Sequence, residues 1–160
     1  MTLSTIERVF LLQGAELFRQ VPMQELVAIA GLCQEVTFSS GERFIQAGDE
    51  GDCLYIIATG EASIVVEGAG QIAVSRQGDV IGEMAIISNN PRAASTVALT
   101  DITALQITHA DFWALMEENP AVTLSVLQVI VKRLEDTLQK LRSQPNVKSG
   151  PSVILTRGRS

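Results

Sequence analysis

Gly82-Glu83-Met84-Ala85-Ile86-Ile87-Ser88-Asn89-Asn90-Pro91-Arg92-Ala93-Ala94-Ser95-Thr96-Val97 is the stretch on which the reading of this chain turns. It places a short helix start behind Gly82-Glu83 and, further on, an arginine followed by two alanines. A helix N-terminus presents unpaired backbone N–H groups and the positive end of the peptide dipoles, and together these attract an anion such as phosphate. A carboxylate only accepts hydrogen bonds, so Glu83 beside an anion site calls for hydroxyl donors rather than for the anion itself. Arg92 supplies the cation. Its planar fork matches two phosphate oxygens at once, at about 1.5–3 kcal/mol for each charge-assisted bond.

The run closely resembles the phosphate-binding element of the cyclic nucleotide-binding domain family, whose pattern reads G-E-[L/M]-[A/G] followed by P-R-[A/S/T]-A. Gly82-Glu83-Met84-Ala85 and Pro91-Arg92-Ala93-Ala94 fit it without a gap. The resemblance implies that Glu83 holds the ribose 2′-hydroxyl and Arg92 the cyclic phosphate. The amides of Met84, Ala85, Ala93 and Ala94 would complete the cradle, with Gly82 at its entry. A bulky side chain at Ala85, Ala93 or Ala94 would hold the ligand off the backbone. In the family a threonine directly after the arginine goes with cyclic GMP, and Ala93 at that position points to cyclic AMP ahead of cyclic GMP. Because Lys keeps the charge of Arg92 and loses the fork, Arg92→Lys is expected to weaken binding with little effect on the fold. The family also contains empty members. The alternative is therefore a degenerate fold that acts as a ligand-independent interaction or dimerisation domain.

Composition agrees with one soluble module. The chain has 160 residues, is 46% hydrophobic and contains one Trp and one Tyr, enough to bury a single core without disulfides or metals. No apolar run approaches the roughly 20 residues that cross a bilayer, and the N-terminus lacks a basic segment followed by an apolar stretch and cleavage site. A cytoplasmic chain without membrane insertion is the expectation. Cys33 and Cys53 read as buried thiols rather than a disulfide framework. The net charge of −6 disfavours nonspecific attraction to nucleic acid or an anionic membrane.

The pattern changes along the chain. In residues 1–35 the apolar positions Ile6, Val9, Phe10, Leu17, Leu26, Ile29 and Ala30 recur at helical spacing, broken by Gly14 and Pro22. Residues 36–107 carry short β runs, RFIQ, CLYIIA, ASIVV, QIAVS, STVAL and ITALQI, punctuated by glycines. The expected fold is mainly β with flanking helices: an eight-stranded β-roll or jelly-roll barrel with N-terminal helices and a long C-terminal helix. Counted from the family's landmarks, Ile45, Ile64, Ile72 and Ala73 fall on the wall around the purine base. Each is equally well read as ordinary core.

Residues 108–142 are the expected C-terminal helices. Thr108 with Asp111 caps the first, and Asn119-Pro120 starts the second, with asparagine as N-cap. In the second, Leu124, Leu127, Val131, Leu134, Leu138 and Leu141 are spaced 3-4-3-4-3, the spacing of a coiled-coil seam and a possible homodimer contact. Arg133 and Thr137 lie four residues apart on one flank. Here the resemblance is to the ligand domain of the bacterial cyclic AMP receptor protein, which it matches at Arg133, Leu134 and Thr137. Arg133 would reach Glu83, and Thr137 the adenine amino group. Leu138 stands where that protein places a serine from the second subunit. Protein kinase A regulatory subunits share the same domain type. Residues 143–160 read as a flexible tail with no room for a recognition helix, so direct DNA binding is not expected. With one histidine and two distant cysteines there is no zinc set and no evident nucleophile–base pair, so no enzyme is expected. The partner that receives the signal is unnamed by the sequence.

Overall fold

The structure is a computed structural model and describes residues 2–143. Most of the expected tail lies outside the described residues. Helix α1 (Thr5–Gly14) begins at a capping box: the Ser4 hydroxyl accepts from the Glu7 amide at 3.1 Å, and the Glu7 carboxylate accepts from the Ser4 amide at 2.8 Å. Helix α2 (Met23–Leu32) starts directly after Pro22. Val9, Leu12, Leu26, Ile29 and Ala30 are buried, whereas Ile6 and Phe10 are exposed. Phe10 follows Val9 by about 100° around the helix, so the two cannot share the narrow buried face of so short an element.

Eight strands follow: β1 (Gln34–Phe38), β2 (Arg43–Ile45), β3 (Cys53–Thr59), β4 (Ala62–Val66), β5 (Gly70–Ser75), β6 (Val80–Ile81), β7 (Ser95–Ala98) and β8 (Ile102–Thr108). They form two four-stranded antiparallel sheets, ordered β1-β8-β3-β6 and β2-β7-β4-β5. The eight strands fit the expected β-roll or jelly roll, but the barrel of that expectation is two antiparallel sheets and does not close. The edge strands β1, β6, β2 and β5 are not hydrogen-bonded across to the other sheet, and what joins the layers is side-chain packing. Ile45, Ala62 and Ala98 of one sheet share a core with Cys53, Tyr55, Ile57, Ile81, Ile102 and Ala104 of the other.

Aromatic rings seal one region of this core. Phe38 and Phe44 stack at 4.1 Å, and Tyr55 meets both edge-on at 5.4 Å. Strand β3 is buried on both faces. Cys53, Tyr55 and Ile57 point into the core, leaving Leu54, Ile56 and Ala58 to the side on which α1 and α3 (Glu83–Ser88) pack.

After β8, the Thr108 hydroxyl accepts from the Asp111 amide at 3.1 Å and caps α4 (His109–Glu118) as expected. Phe112 of α4 is fully buried and edge-on to Phe18. Helix α5 (Pro120–Ser143) starts where expected, but the Asn119 side-chain amide donates back to the Leu115 carbonyl at 3.2 Å. One compact unit ends at Val126 of α5, and a second starts at Leu127. In the first, Val122, Ser125 and Val126 are buried, and the Ser125 hydroxyl donates to the Leu17 carbonyl at 3.2 Å. The seam residues are another matter. Leu124, Leu127, Val131, Leu134, Leu138 and Leu141 are all between 45% and 59% exposed. Among the described residues no helix is long and apolar enough to cross a membrane.

The β3–β4 turn tests this packing. Gly60 has φ +97°, and a Cβ there would run into the Asp101 carbonyl oxygen. Gly60→Ala is expected to destabilise the chain by at least about 1–2 kcal/mol from the left-handed backbone alone. An unchanged denaturation midpoint would contradict the register of that turn.

Candidate functional site

The cassette is a helix and a loop slung between β6 and β7. Gly82, at φ +91°, turns the chain out of β6 and caps α3, and Asn89, also left-handed at φ 59°, ends it. Positive φ at the entry explains the glycine. The loop returns through Pro91 to Arg92, where the backbone is tied to the β2–β3 connection: the Arg92 amide donates to the Asp49 carbonyl at 2.8 Å, and the Gly48 amide to the Arg92 carbonyl at 2.9 Å. Gly51 explains Ala85 in a second way. A Cβ on Gly51 would stand 2.7 Å from the Ala85 Cβ, so both positions must be small for α3 to seat.

Arg92 is only 7% exposed. Its Nη1 donates to the Gly82 carbonyl at 3.0 Å and its Nη2 to the Cys53 carbonyl at 2.6 Å, while Asp52 Oδ1 lies 3.7 Å from Nη2. The Asp52 carboxylate is largely solvated, so the ion pair itself adds little. The two carbonyl bonds matter more. They join the entry of the cassette to the first residue of β3 through one guanidinium, and they argue against the expectation that Arg92→Lys has little effect on the fold. Burial pushes the neighbouring Cys53 thiol above its ordinary range, which leaves it an unreactive packing group.

Gly82, Glu83, Met84, Ala85, Arg92, Ala93 and Ala94 line one cavity of about 210 Å³, together with Ile45 and Ile64. Glu83 is buried. Sequence reasoning missed Ser75, Val80, Ile81 and Thr96, which also line it. The alternation of the STVAL run carries the signal that would have found Thr96, since successive strand residues face opposite ways.

Ile72 and Ala73 are placed differently. In β5, Ala73 sits opposite Ile64, but the register shifts between this pair and the next, Val65 with Gln71, leaving Ile72 as the extra residue of a bulge. Ile72 is 56% exposed, and neither residue lines the cavity. Arg133, Leu134 and Thr137 belong to the second compact unit. There the Thr137 hydroxyl donates to the Arg133 carbonyl at 2.9 Å, and Leu134 is exposed.

A larger cavity of about 370 Å³ lies against the other side of the cassette, lined by Glu50, Gly51, Asp52, Ala85, Asn89, Asn90, Pro91 and His109. It offers two carboxylates and no Lys or Arg, the wrong chemistry for a phosphate. The smaller cavity has buried Arg92, buried Glu83 and an apolar wall, which together suit a ligand that is part anion, part hydroxyl and part flat apolar ring. Among the described residues no group of three or more His, Cys, Asp or Glu could hold a metal ion.

The two-sheet fold thus carries a cavity beside the helix and loop that run between β6 and β7. Residues 35–119 match the cyclic nucleotide-binding domain family, and the chain belongs to it. It is 34% identical over 102 residues to a cAMP-dependent protein kinase regulatory subunit of Candida albicans, covering 64% of this chain and 22% of that protein. It is 29% identical over 136 residues to a cGMP-dependent protein kinase of Caenorhabditis briggsae, covering 81% of this chain and 18% of that protein. The structure of Thermus thermophilus catabolite activator protein superposes with a TM-score of 0.71 at 26% identity, covering 80% of this chain and 62% of that one. The chain thus spans about a fifth of the length of these two kinase relatives.

Two substitutions follow from the geometry of Arg92. A Cβ on Gly82 would collide with the Arg92 guanidinium, so Gly82→Ala is expected to displace both the turn and the arginine, lowering the melting temperature and weakening ligand binding together. Arg92→Lys strands the Gly82 and Cys53 carbonyls and is expected to reduce stability by about 1–3 kcal/mol even without ligand. A denaturation curve identical to the parent's would contradict the structural role of Arg92.

Proposed function

We propose that this chain is a cyclic nucleotide-sensing regulatory module that binds cyclic AMP in preference to cyclic GMP. The observation that carries the reading is the convergence of buried Glu83, buried Arg92 and an apolar wall of Ile45 and Ile64 on one cavity. The cyclic phosphate faces Arg92 and the amides of Met84, Ala85, Ala93 and Ala94, and the ribose 2′-hydroxyl donates to Glu83. Ala93 supports the cyclic AMP preference, because it offers no hydroxyl to a guanine amino group.

In this reading α5 reports occupancy. Arg133, Leu134 and Thr137 form its ligand-facing flank and close over the nucleotide. A ligand drives such closure only by binding the closed state better, and a hundredfold preference supplies about 2.7 kcal/mol. The exposed leucine seam of α5 is the output surface and pairs with a second copy of the chain. An effector domain or protein downstream reads that change.

Calorimetric titration with cyclic AMP, cyclic GMP and 5′-AMP tests the reading. One site per chain, tighter for cyclic AMP and abolished by Arg92→Ala, is the expected result. A folded, nucleotide-free sample giving no heat and no thermal shift with any of the three would refute it and favour the empty interaction domain. For the seam, Leu134→Asp is expected to lower the oligomeric state in size-exclusion chromatography, and an unchanged elution volume would exclude α5 as the contact.

A further inference from the structure

Ser95 and Thr96 are neighbours on β7 and therefore face opposite ways. The Ser95 hydroxyl accepts from the Ala47 amide at 2.9 Å, which fixes Ser95 toward the β2–β3 connection. Thr96 faces the cavity and belongs to its lining with Ile45, Ile64 and Ser75. It is paired with Ile45 of β2 on one side and Ile64 of β4 on the other, so it stands in the middle of its sheet with apolar neighbours on both flanks.

Thr96 is only 2% exposed, yet among the described residues its hydroxyl makes no hydrogen bond. Among the described residues no side-chain nitrogen or oxygen that is fully sealed from solvent lacks a partner. The small accessible remainder of Thr96 must therefore include its hydroxyl oxygen, at the cavity surface. Valine has nearly the same shape, suits a central strand at least as well and has no hydroxyl to desolvate. A threonine here weakens the sheet unless something in the cavity pairs with it.

We propose that the Thr96 hydroxyl hydrogen-bonds the purine base and is a specificity-determining contact for the cyclic nucleotide. This rests on the reading of the cavity as a nucleotide cradle. Glu83 and Arg92 take the sugar and phosphate, and Thr96 stands on the wall of Ile45 and Ile64 that is left for the base. Ser75, on β5, lines the same cavity, and among the described residues its hydroxyl also makes no hydrogen bond. The base therefore meets hydroxyls on an otherwise apolar wall. A hydroxyl both donates and accepts, so it engages the polar edge of either purine, with a different partner atom in each.

The test titrates the whole chain and its Thr96→Val, Thr96→Ser and Arg92→Ala variants with cyclic AMP and cyclic GMP, and melts each without ligand. Thr96→Val is expected to weaken the preferred nucleotide about five- to tenfold, the range of one neutral hydrogen bond. It should change the ratio of the two affinities and leave the unliganded melting temperature equal or higher. Thr96→Ser should stay near the parent. If Thr96→Val keeps both affinities while Arg92→Ala abolishes them, the base contact is overturned and the cradle stands. If Thr96→Val loses affinity only together with a lowered unliganded melting temperature, the residue is structural and the inference also fails. A parent chain that binds neither nucleotide would remove the cradle reading and this inference with it.

Discussion

The buried guanidinium of Arg92 is the constraint on which the rest of the site depends. Through two carbonyl acceptors, Gly82 at the cassette entry and Cys53 at the start of β3, it holds the loop after β6 against the start of the neighbouring strand of the same sheet. An arginine that only waited for an anion could sit on the surface. This one is buried and oriented by its carbonyl bonds without any ligand, so in the proposed function the cation is already desolvated when the phosphate arrives, which is what makes a charge-assisted bond strong. The glycine at Gly82 is needed because the guanidinium fills the space a side chain would take.

The two-sheet architecture supplies the other half of the cavity. Because β2, β7, β4 and β5 form one sheet, Ile45, Thr96, Ile64 and Ser75 come together although they are scattered through the sequence. The polar cassette stands beside this wall, so in the proposed function a ligand is read at its charged end by α3 and Arg92 and at its flat end by strands. The division of labour is physical. Backbone amides and a guanidinium recognise oxygen atoms in fixed directions, while a pleated apolar wall recognises shape.

Much of this was legible in the sequence, for identifiable reasons. The cassette is local, so its residues and spacing fix its geometry, and Glu83, Arg92 and the surrounding small residues all reach one cavity. The helix cap at Thr108 and the β runs were legible for the same reason. What escaped was non-local. Strand pairing decides between a closed barrel and two sheets, and β6, at two residues, is too short to leave a period. The bulge that removes Ile72 from the wall arises only when β5 is laid against β4. The structural task of Arg92 was invisible because its main acceptors are backbone carbonyls, which every residue possesses, and one of them is 39 positions away.

The most direct test of the account is an amide-resolved NMR titration of the chain with cyclic AMP, following the N–H signals of Met84, Ala85, Ala93 and Ala94. If the cradle holds the cyclic phosphate, these amides shift downfield together and saturate with one midpoint, and 5′-AMP at the same concentration does not reproduce the effect. If cyclic AMP saturates the chain while these four amides stay in place, the ligand sits elsewhere and the assignment of the site is wrong.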